Sequence, residues 1–322
     1  VSGRPPRIAA IGAGVWGRNI IRALKYLEAE GVLELIAVVD VREDVAKSVA
    51  REWRVPYHAT GLEDLRRIGV DAVTVAVPIT NLPEVTLKAI NEGYHVFVEK
   101  PVATRPEQVE RIMEAAKDAG LVVQPGFIVR YDPVAQALRK EIIKRGRPTY
   151  MLFKRLSARP PHRRDVSVVF DLMIHDIDLT GFFVGWGDYD IVSAWGVSDS
   201  AGVPQSVCAS VTVEDTHVSF IADGFLPVKV REVEASLPDV FVRGVFTDRV
   251  VQILSGEGMR ESKVSGEEPL KAELRDFARR VRGEEVPNAP TIEDALNACR
   301  LARSVESVLK LRSEPFSYRI KF

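Results

Sequence analysis

The stretch Ile8-Ala9-Ala10-Ile11-Gly12-Ala13-Gly14-Val15-Trp16-Gly17 decides the fold. A short apolar strand runs into Gly-x-Gly-x-x-Gly, a helical segment from Arg18 to Glu30 follows, and a second strand, Leu33 to Val39, ends on Asp40. Strand, glycine turn, helix, strand and acid, in that order, form the dinucleotide-binding fingerprint in its required context. Gly12 permits the tight turn, Gly14 lets the backbone approach a pyrophosphate, and Gly17 lets helix and strand pack closely. The free N–H groups of the first helical turn suit the diphosphate charge. Asp40 can accept hydrogen bonds from ribose hydroxyls and repels a 2′-phosphate, which favours NAD over NADP. Arg42 keeps NADP open, because a guanidinium there can pair with a phosphate; as a solvated helix-start residue beside Glu43 and Asp44 it has no such part.

Outward from this stretch, strands and helices alternate. A helix near Arg42 to Trp53 and a short one at Leu62 to Arg67 precede a β-branched strand, Val70 to Val77, that ends at Pro78. A helix from Asn81 to Glu92 stops at Gly93, the strand His95 to Glu99 leads into Lys100-Pro101, and a helix from Pro106 to Ala119 leads to the strand Leu121 to Gln124. This alternation predicts an α/β Rossmann domain, a doubly wound parallel sheet, over residues 1–124. From 125 the pattern changes to short alternating runs: Tyr150 to Ser157, Tyr189 to Val197, Ser206 to Val213, His217 to Asp223, Val228 to Leu237, Val240 to Thr247 and Arg249 to Leu254. One helix, Asp171 to Phe183, interrupts them, and two, Pro269 to Arg282 and Ile292 to Leu311, follow. Residues 125–322 therefore read as an α+β domain with a large, mostly antiparallel open sheet for substrate binding and oligomerisation.

Bulk properties bound the function. A chain of 322 residues with 46% hydrophobic and 28% charged residues suits two globular domains. A net charge of −1 offers no basic face for nucleic acid or an anionic membrane. No apolar run has membrane-spanning length, and no apolar signal region precedes the first strand. Cys208 and Cys299 are too few for a disulfide framework, so a reducing cytoplasm is expected.

Ligands of an open parallel sheet bind beyond the C-terminal strand ends. Pro78, Glu99 and Lys100 lie at such ends, and Lys100 can present a cation to substrate beside the cofactor. A surface lysine is the plain alternative. On a helix, Asp171, His175 and Asp178 share one face at i, i+4 and i+7, where a carboxylate can orient the imidazole and raise its basicity. An ordinary helix with a satisfied histidine is the alternative reading. No His or Cys cluster supports a metal site.

With these residues in view, the sequence resembles the Gfo/Idh/MocA oxidoreductases. The likeness covers the glycine loop, Gly93-Tyr-His-Val-Phe-Val-Glu-Lys-Pro101, the Arg130-Tyr131-Asp132-Pro133 turn and Asp171-x-x-x-His175-x-x-Asp178. It implies an NAD-dependent sugar or cyclitol dehydrogenase with Lys100, Asp171 and His175 as catalytic set. The cofactor would be held by Gly12, Gly14, Val15, Trp16, Gly17, Asp40, Arg42, Pro78, Glu99 and Lys100. Substrate would meet Lys100, Arg130, Tyr131, Asp171, His175, Asp178 and Arg163. Gly14-Val15-Trp16-Gly17-Arg18-Asn19-Ile20-Ile21-Arg22 is similar to the opening of the nucleotide-sugar members, which oxidise the 3-hydroxyl of UDP-linked amino sugars or their uronic acids. In the loop ahead of the helix, Arg155, Arg159, His162, Arg163 and Arg164 could meet a diphosphate or carboxylate, or be solvated. Two departures stand out. Asp165-Val-Ser-Val-Val-Phe170 replaces a Gly-rich stretch, and Leu82 stands where many members carry a histidine.

Alcohol oxidation needs a base for the hydroxyl proton and a cation for the developing negative charge. His175 is the candidate base, Lys100 the group on the reacting oxygen, Asp171 the residue that orients His175, and Asp178 a binder of a neighbouring hydroxyl. Lysine and histidine can exchange roles. Nucleotide sugars are the first expected substrates and free sugars or inositol the second. A non-catalytic NAD-binding regulator is the reading of another class. A homo-dimer or homo-tetramer is expected, because a helix-free sheet face tends to be covered by another subunit.

Overall fold

The structure, a computed structural model, describes residues 3–160 and 164–312. It divides into two compact units, one of residues 1–131 and 267–296 and the other of residues 132–266 and 297–322. The expected boundary after residue 124 moves to Tyr131, and a segment given to the second domain returns to the first.

In the first unit, β1 (Arg7–Ile11), β2 (Glu34–Val39), β3 (Tyr57–Ala59), β4 (Ala72–Val75), β5 (His95–Glu99) and β6 (Val123–Gly126) pair in the order β3-β2-β1-β4-β5-β6. All pairs are parallel. Strand order reverses between β1 and β4, which is where a doubly wound sheet opens its binding crevice. The helices of this unit are α1 (Val15–Ala29), α2 (Glu43–Glu52), α3 (Leu82–Asn91) and α4 (Pro106–Ala119). Four-residue strands such as Ala72–Val75 are buried at every position, as a sheet covered on both faces requires. Leu82, in place of the family histidine, is buried at the start of α3.

The returning segment carries α7 (Pro269–Val281). Leu270, Leu274 and Phe277, spaced at i, i+4 and i+7, join Ile20, Leu24 and Leu27 of α1 in one core, and the Phe277 ring lies 5.9 Å from Phe97 of β5. Burying three such side chains stabilises the packing by roughly 1.5–3 kcal/mol each. The ion pairs that Lys271 and Arg275 make with Glu30 are solvent-exposed and add little beside this.

The second unit opens with α5 (Pro133–Arg145), a helix the sequence reading missed. Its carboxylate cap is Asp132, which accepts from Val134 N at 2.8 Å, with Pro133 in the first turn. The sheet strands are β7 (Tyr150–Leu156), β8 (Tyr189–Ser198), β9 (Pro204–Val213), β10 (Thr216–Asp223), β11 (Val230–Ser236), β12 (Phe241–Val245), β13 (Val250–Ser255), β14 (Gly258–Lys263) and β15 (Lys310–Arg312). They form one nine-stranded sheet in the order β14-β13-β12-β11-β7-β10-β9-β8-β15. The sheet is mostly antiparallel, but β10 runs parallel to β7 and β15 parallel to β8. Alternation in β7, with Met151, Phe153 and Arg155 buried, turns one face toward the helices. There α6 (Ile174–Val184) brings Phe183 to 6.4 Å from Phe153, which stacks on Phe220 at 5.4 Å. The last helix, α8 (Ile292–Ser307), stops short of the expected Leu311, and the chain turns into β15 instead.

Candidate active site

The glycine loop is shaped by contacts that forbid side chains at two of its three glycines. Gly12 has φ of 92°, and a Cβ there would lie 2.2 Å from the Ala76 carbonyl oxygen. A Cβ on Gly17 would lie 1.8 Å from the Gly12 oxygen, so this glycine lets α1 close against the loop. A Cβ on Gly14 would meet nothing within 4 Å, which leaves that stretch of backbone open to a ligand. No side chain caps α1 at Gly14 and no acid sits in its first turn, whereas α2 begins with Glu43 and Asp44. The first N–H groups of α1 are thus left for an anion, and Val15 beside them is 81% exposed.

Asp40, just past β2, is buried and ties the loop down. Its Oδ2 accepts from Ala13 N at 2.9 Å, and its Oδ1 accepts from Arg42 N at 3.1 Å and Arg42 Nε at 3.4 Å. Arg42, at the start of α2, is turned onto Asp40, a pairing its sequence position did not announce. Pro78 lies just past β4 and begins a short 3-10 turn, Ile79–Asn81. Glu99 closes β5; its Oε1 accepts from the Trp16 indole at 2.5 Å, and its Oε2 accepts from Lys100 N at 3.2 Å. Gly126 on β6 leaves room for this carboxylate, since a Cβ there would lie 3.1 Å from it. Lys100, half-buried, precedes Pro101 through a cis peptide. The glycine loop, Pro78 and Lys100 thus follow the C-terminal ends of three adjacent strands, β1, β4 and β5.

In the second unit, a π-helical turn, Val169–Met173, leads into α6. It stands where the family's Gly-rich stretch would lead in, and such turns re-aim side chains at functional positions. Asp171 lies in this turn, buried, and its Oδ2 accepts from Arg159 Nη1 at 3.3 Å. His175 is half-buried on the first turn of α6, and Asp178 is buried one turn later.

Arginines expected at the substrate have other partners. Arg130, buried, pairs with Asp294 at 3.1 Å and lies over the Phe127 ring, within the first unit. The Tyr131 hydroxyl is pushed far up by burial and by Glu273 and Asp276. Arg155 grips Asp176 through Nε at 3.0 Å and Nη2 at 2.6 Å, and both side chains are buried. Arg159 also donates to the Val166 carbonyl at 2.7 Å and to Gln205, and Arg164 donates to the Arg159 carbonyl at 3.0 Å. These residues brace the approach to α6. Arg163 and His162 lie outside the described residues. Among the described residues no group of three His, Cys, Asp or Glu side chains is placed to hold a metal, and no helix is long and apolar enough to cross a membrane.

A parallel sheet in this strand order, with its glycine loop and terminal acid, defines a dinucleotide-binding Rossmann protein, and the residues present fit that cofactor. Residues 6–127 match the Gfo/Idh/MocA family, described as an oxidoreductase family with an NAD-binding Rossmann fold. The UDP-N-acetylglucosamine 3-dehydrogenase of Acidithiobacillus ferrooxidans is 30% identical over 301 residues, 93% of this chain and 90% of that protein. The NAD(+)-dependent scyllo-inositol 2-dehydrogenase of Bacillus subtilis is 26% identical over 90% of each chain. The crystal structure of the A. ferrooxidans enzyme superposes with a TM-score of 0.86, covering 95% of this chain and 98% of its own. KijD10, a 3-ketoreductase from Actinomadura kijaniata in complex with NADP and TDP-benzene, shares the fold at a TM-score of 0.85 and 21% identity, over 97% of this chain and 100% of its own. The chain belongs to the Gfo/Idh/MocA oxidoreductase family.

Proposed function

We propose that this protein is an NAD-dependent dehydrogenase of a sugar hydroxyl, with a UDP-linked amino sugar or its uronic acid, oxidised at C3, as substrate. The observation that carries this is the full-length likeness to a UDP-N-acetylglucosamine 3-dehydrogenase, joined to a glycine loop, Lys100 and an Asp171/His175 helix in one chain. Gly12, Gly14, Gly17 and the first N–H groups of α1 would hold the diphosphate, with Val15, Trp16 and Pro78 around it and Asp40 toward the ribose. When bound, NAD supplies the hydride acceptor. Lys100 holds the reacting oxygen and stabilises its negative charge, while His175 takes the hydroxyl proton. Asp171, anchored by Arg159, keeps His175 oriented, and Asp178 binds a neighbouring hydroxyl. Arg42, paired with Asp40, supports NAD rather than NADP.

The inositol dehydrogenase relative favours a second reading, oxidation of a free cyclitol or sugar. Cofactor reduction, followed by absorbance with UDP-amino sugars, free sugars and inositols, separates the two. Turnover confined to the UDP-sugars supports the first reading; turnover on inositol alone replaces it, and no turnover on any sugar removes both. A homo-dimer or homo-tetramer is proposed to cover the part of the sheet where Val192 and Trp195 of β8 are exposed. Two free thiols are compatible with a cytoplasmic setting.

A further inference from the structure

Arg155 of β7 and Arg231 of β11 stand directly opposite each other on antiparallel neighbours. Both belong to the alternation that faces the helices, with Met151 and Phe153 on one strand and Val233 and Ala235 on the other. Like charges in this register repel, so each needs an anion. Arg155 has one, the bidentate Asp176. Arg231 has no such grip: it makes no side-chain hydrogen bond or ion pair with a described residue, its buried Nε has no acceptor, and Asp176 and Asp132 act on it only through space.

Lys229, two residues earlier and exposed, adds a third cation. The neighbouring acids are already in use. Asp176 is held by Arg155, and Asp132 caps α5 and is shared through space among Arg249, Arg155 and Arg231. Crowding makes the cations easier to deprotonate. Burial and Arg155 push the Arg231 guanidinium below its ordinary value, and Arg231 in turn lowers the Lys229 ammonium. Arg231 nonetheless feels the charge of Asp176, the residue after His175, so the unanswered charge lies beside the first turn of α6.

We propose that Arg231 and Lys229, backed by Arg155, form a seat for an oxyanion carried by the substrate. A planar fork with a desolvated Nε and a neighbouring ammonium suits a carboxylate or a phosphate oxygen. Two sources offer that chemistry, the diphosphate of a nucleotide sugar and the carboxylate of a uronic acid. The inference rests on the sugar-dehydrogenase reading and specifies the charge of the sugar it takes.

The test uses Arg231→Met, Arg231→Lys and Lys229→Ala in the NAD-saturated protein. Calorimetry with UDP alone and with glucuronate alone probes the two sources, and KM is measured for UDP-N-acetylglucosamine and for uncharged inositol. Arg231→Met is expected to weaken one of the two anions by roughly tenfold or more and Arg231→Lys by less, with kcat nearly unchanged and inositol kinetics unaffected. Lys229→Ala, an exposed change that folding tolerates, is expected to weaken the same anion by a few-fold. The anion that loses affinity names the source. Equal affinities in wild type and variants, no binding of either anion by wild type, or an equal KM rise for inositol would overturn the seat. If wild type oxidises no sugar, the dehydrogenase reading fails while calorimetry still decides the seat.

Discussion

The Trp16 indole donates to the Glu99 carboxylate, tying the glycine loop to the strand that presents Lys100. Glu99 is buried and also accepts from Lys100 N, so loop and lysine share one anchor. Trp16→Phe removes the donor and with it the hydrogen bond that ties the glycine loop to Glu99. A loss of about 1–3 kcal/mol in denaturant unfolding is expected, together with weaker NAD binding by titration. Unchanged unfolding and affinity would show that the bond anchors nothing.

Glycines in the loop should separate shape from ligand. Gly14→Ala is expected to leave the melting temperature near wild type, because its φ of −70° suits any residue and its Cβ would meet nothing. NAD affinity should nevertheless fall by about tenfold or more. Gly12→Ala should destabilise the fold itself, by at least about 1–3 kcal/mol, since its φ is 92° and the Ala76 carbonyl blocks the Cβ. Thermal melts beside NAD titrations distinguish the two outcomes.

Asp40→Ser should shift cofactor choice. The substitution removes the carboxylate that repels a 2′-phosphate and releases Arg42 from it. The ratio of NAD to NADP affinity should move toward NADP by about tenfold, measured by competitive titration. An unmoved ratio would take Asp40 out of nucleotide selection.

How much of this was legible in the sequence follows from what each signal depends on. The glycine loop, β5 and α4 are set by local chemistry, and the structure keeps them where periodicity and caps placed them. The helix α7 was legible as a helix, but its spacing of Leu270, Leu274 and Phe277 cannot say which sheet it will cover. That choice is tertiary, and it moved the segment to the first unit. Parallel pairing of β10 with β7 was hidden for the same reason, since alternation marks a strand and not its partner. Among candidate site residues, Arg130 is expected at the substrate and Arg155 and Arg159 at a diphosphate or carboxylate; burial and the carboxylates of Asp294, Asp176 and Asp171 give them partners that no local pattern reveals. Arg231 carried no motif, and only its register opposite Arg155 exposes it.

The buried Arg155–Asp176 pair yields a stability prediction. Asp176→Asn leaves Arg155 charged and without a counterion, facing Arg231. A loss of about 3–5 kcal/mol is expected in urea unfolding, with recovery when Arg155 is also replaced by Met. A small loss would mean that solvent reaches the pair.

His95 gives the fold a pH dependence. Burial holds its imidazole below the ordinary value of 6.5, and its Nδ1 accepts from Val122 N at 2.9 Å. A proton on Nδ1 would break that bond. In the window between the lowered folded value and 6.5 the unfolded chain binds the extra proton, so stability is full above 6.5 and falls as pH drops below it. Unfolding midpoints at descending pH should show the decline, and His95→Gln should flatten it. A wild-type profile already flat over that range would contradict the role of His95.

The central claim, that Lys100 and His175 perform sugar oxidation on a bound NAD, is tested most directly by pairing turnover with cofactor binding. Lys100→Met and His175→Asn are assayed for NAD reduction with the UDP-sugar that wild type oxidises, beside NAD affinity by fluorescence titration. The predicted result is a kcat loss of about 100-fold or more in each variant, with NAD affinity within a few-fold of wild type. Turnover near the wild-type rate in either variant would contradict it.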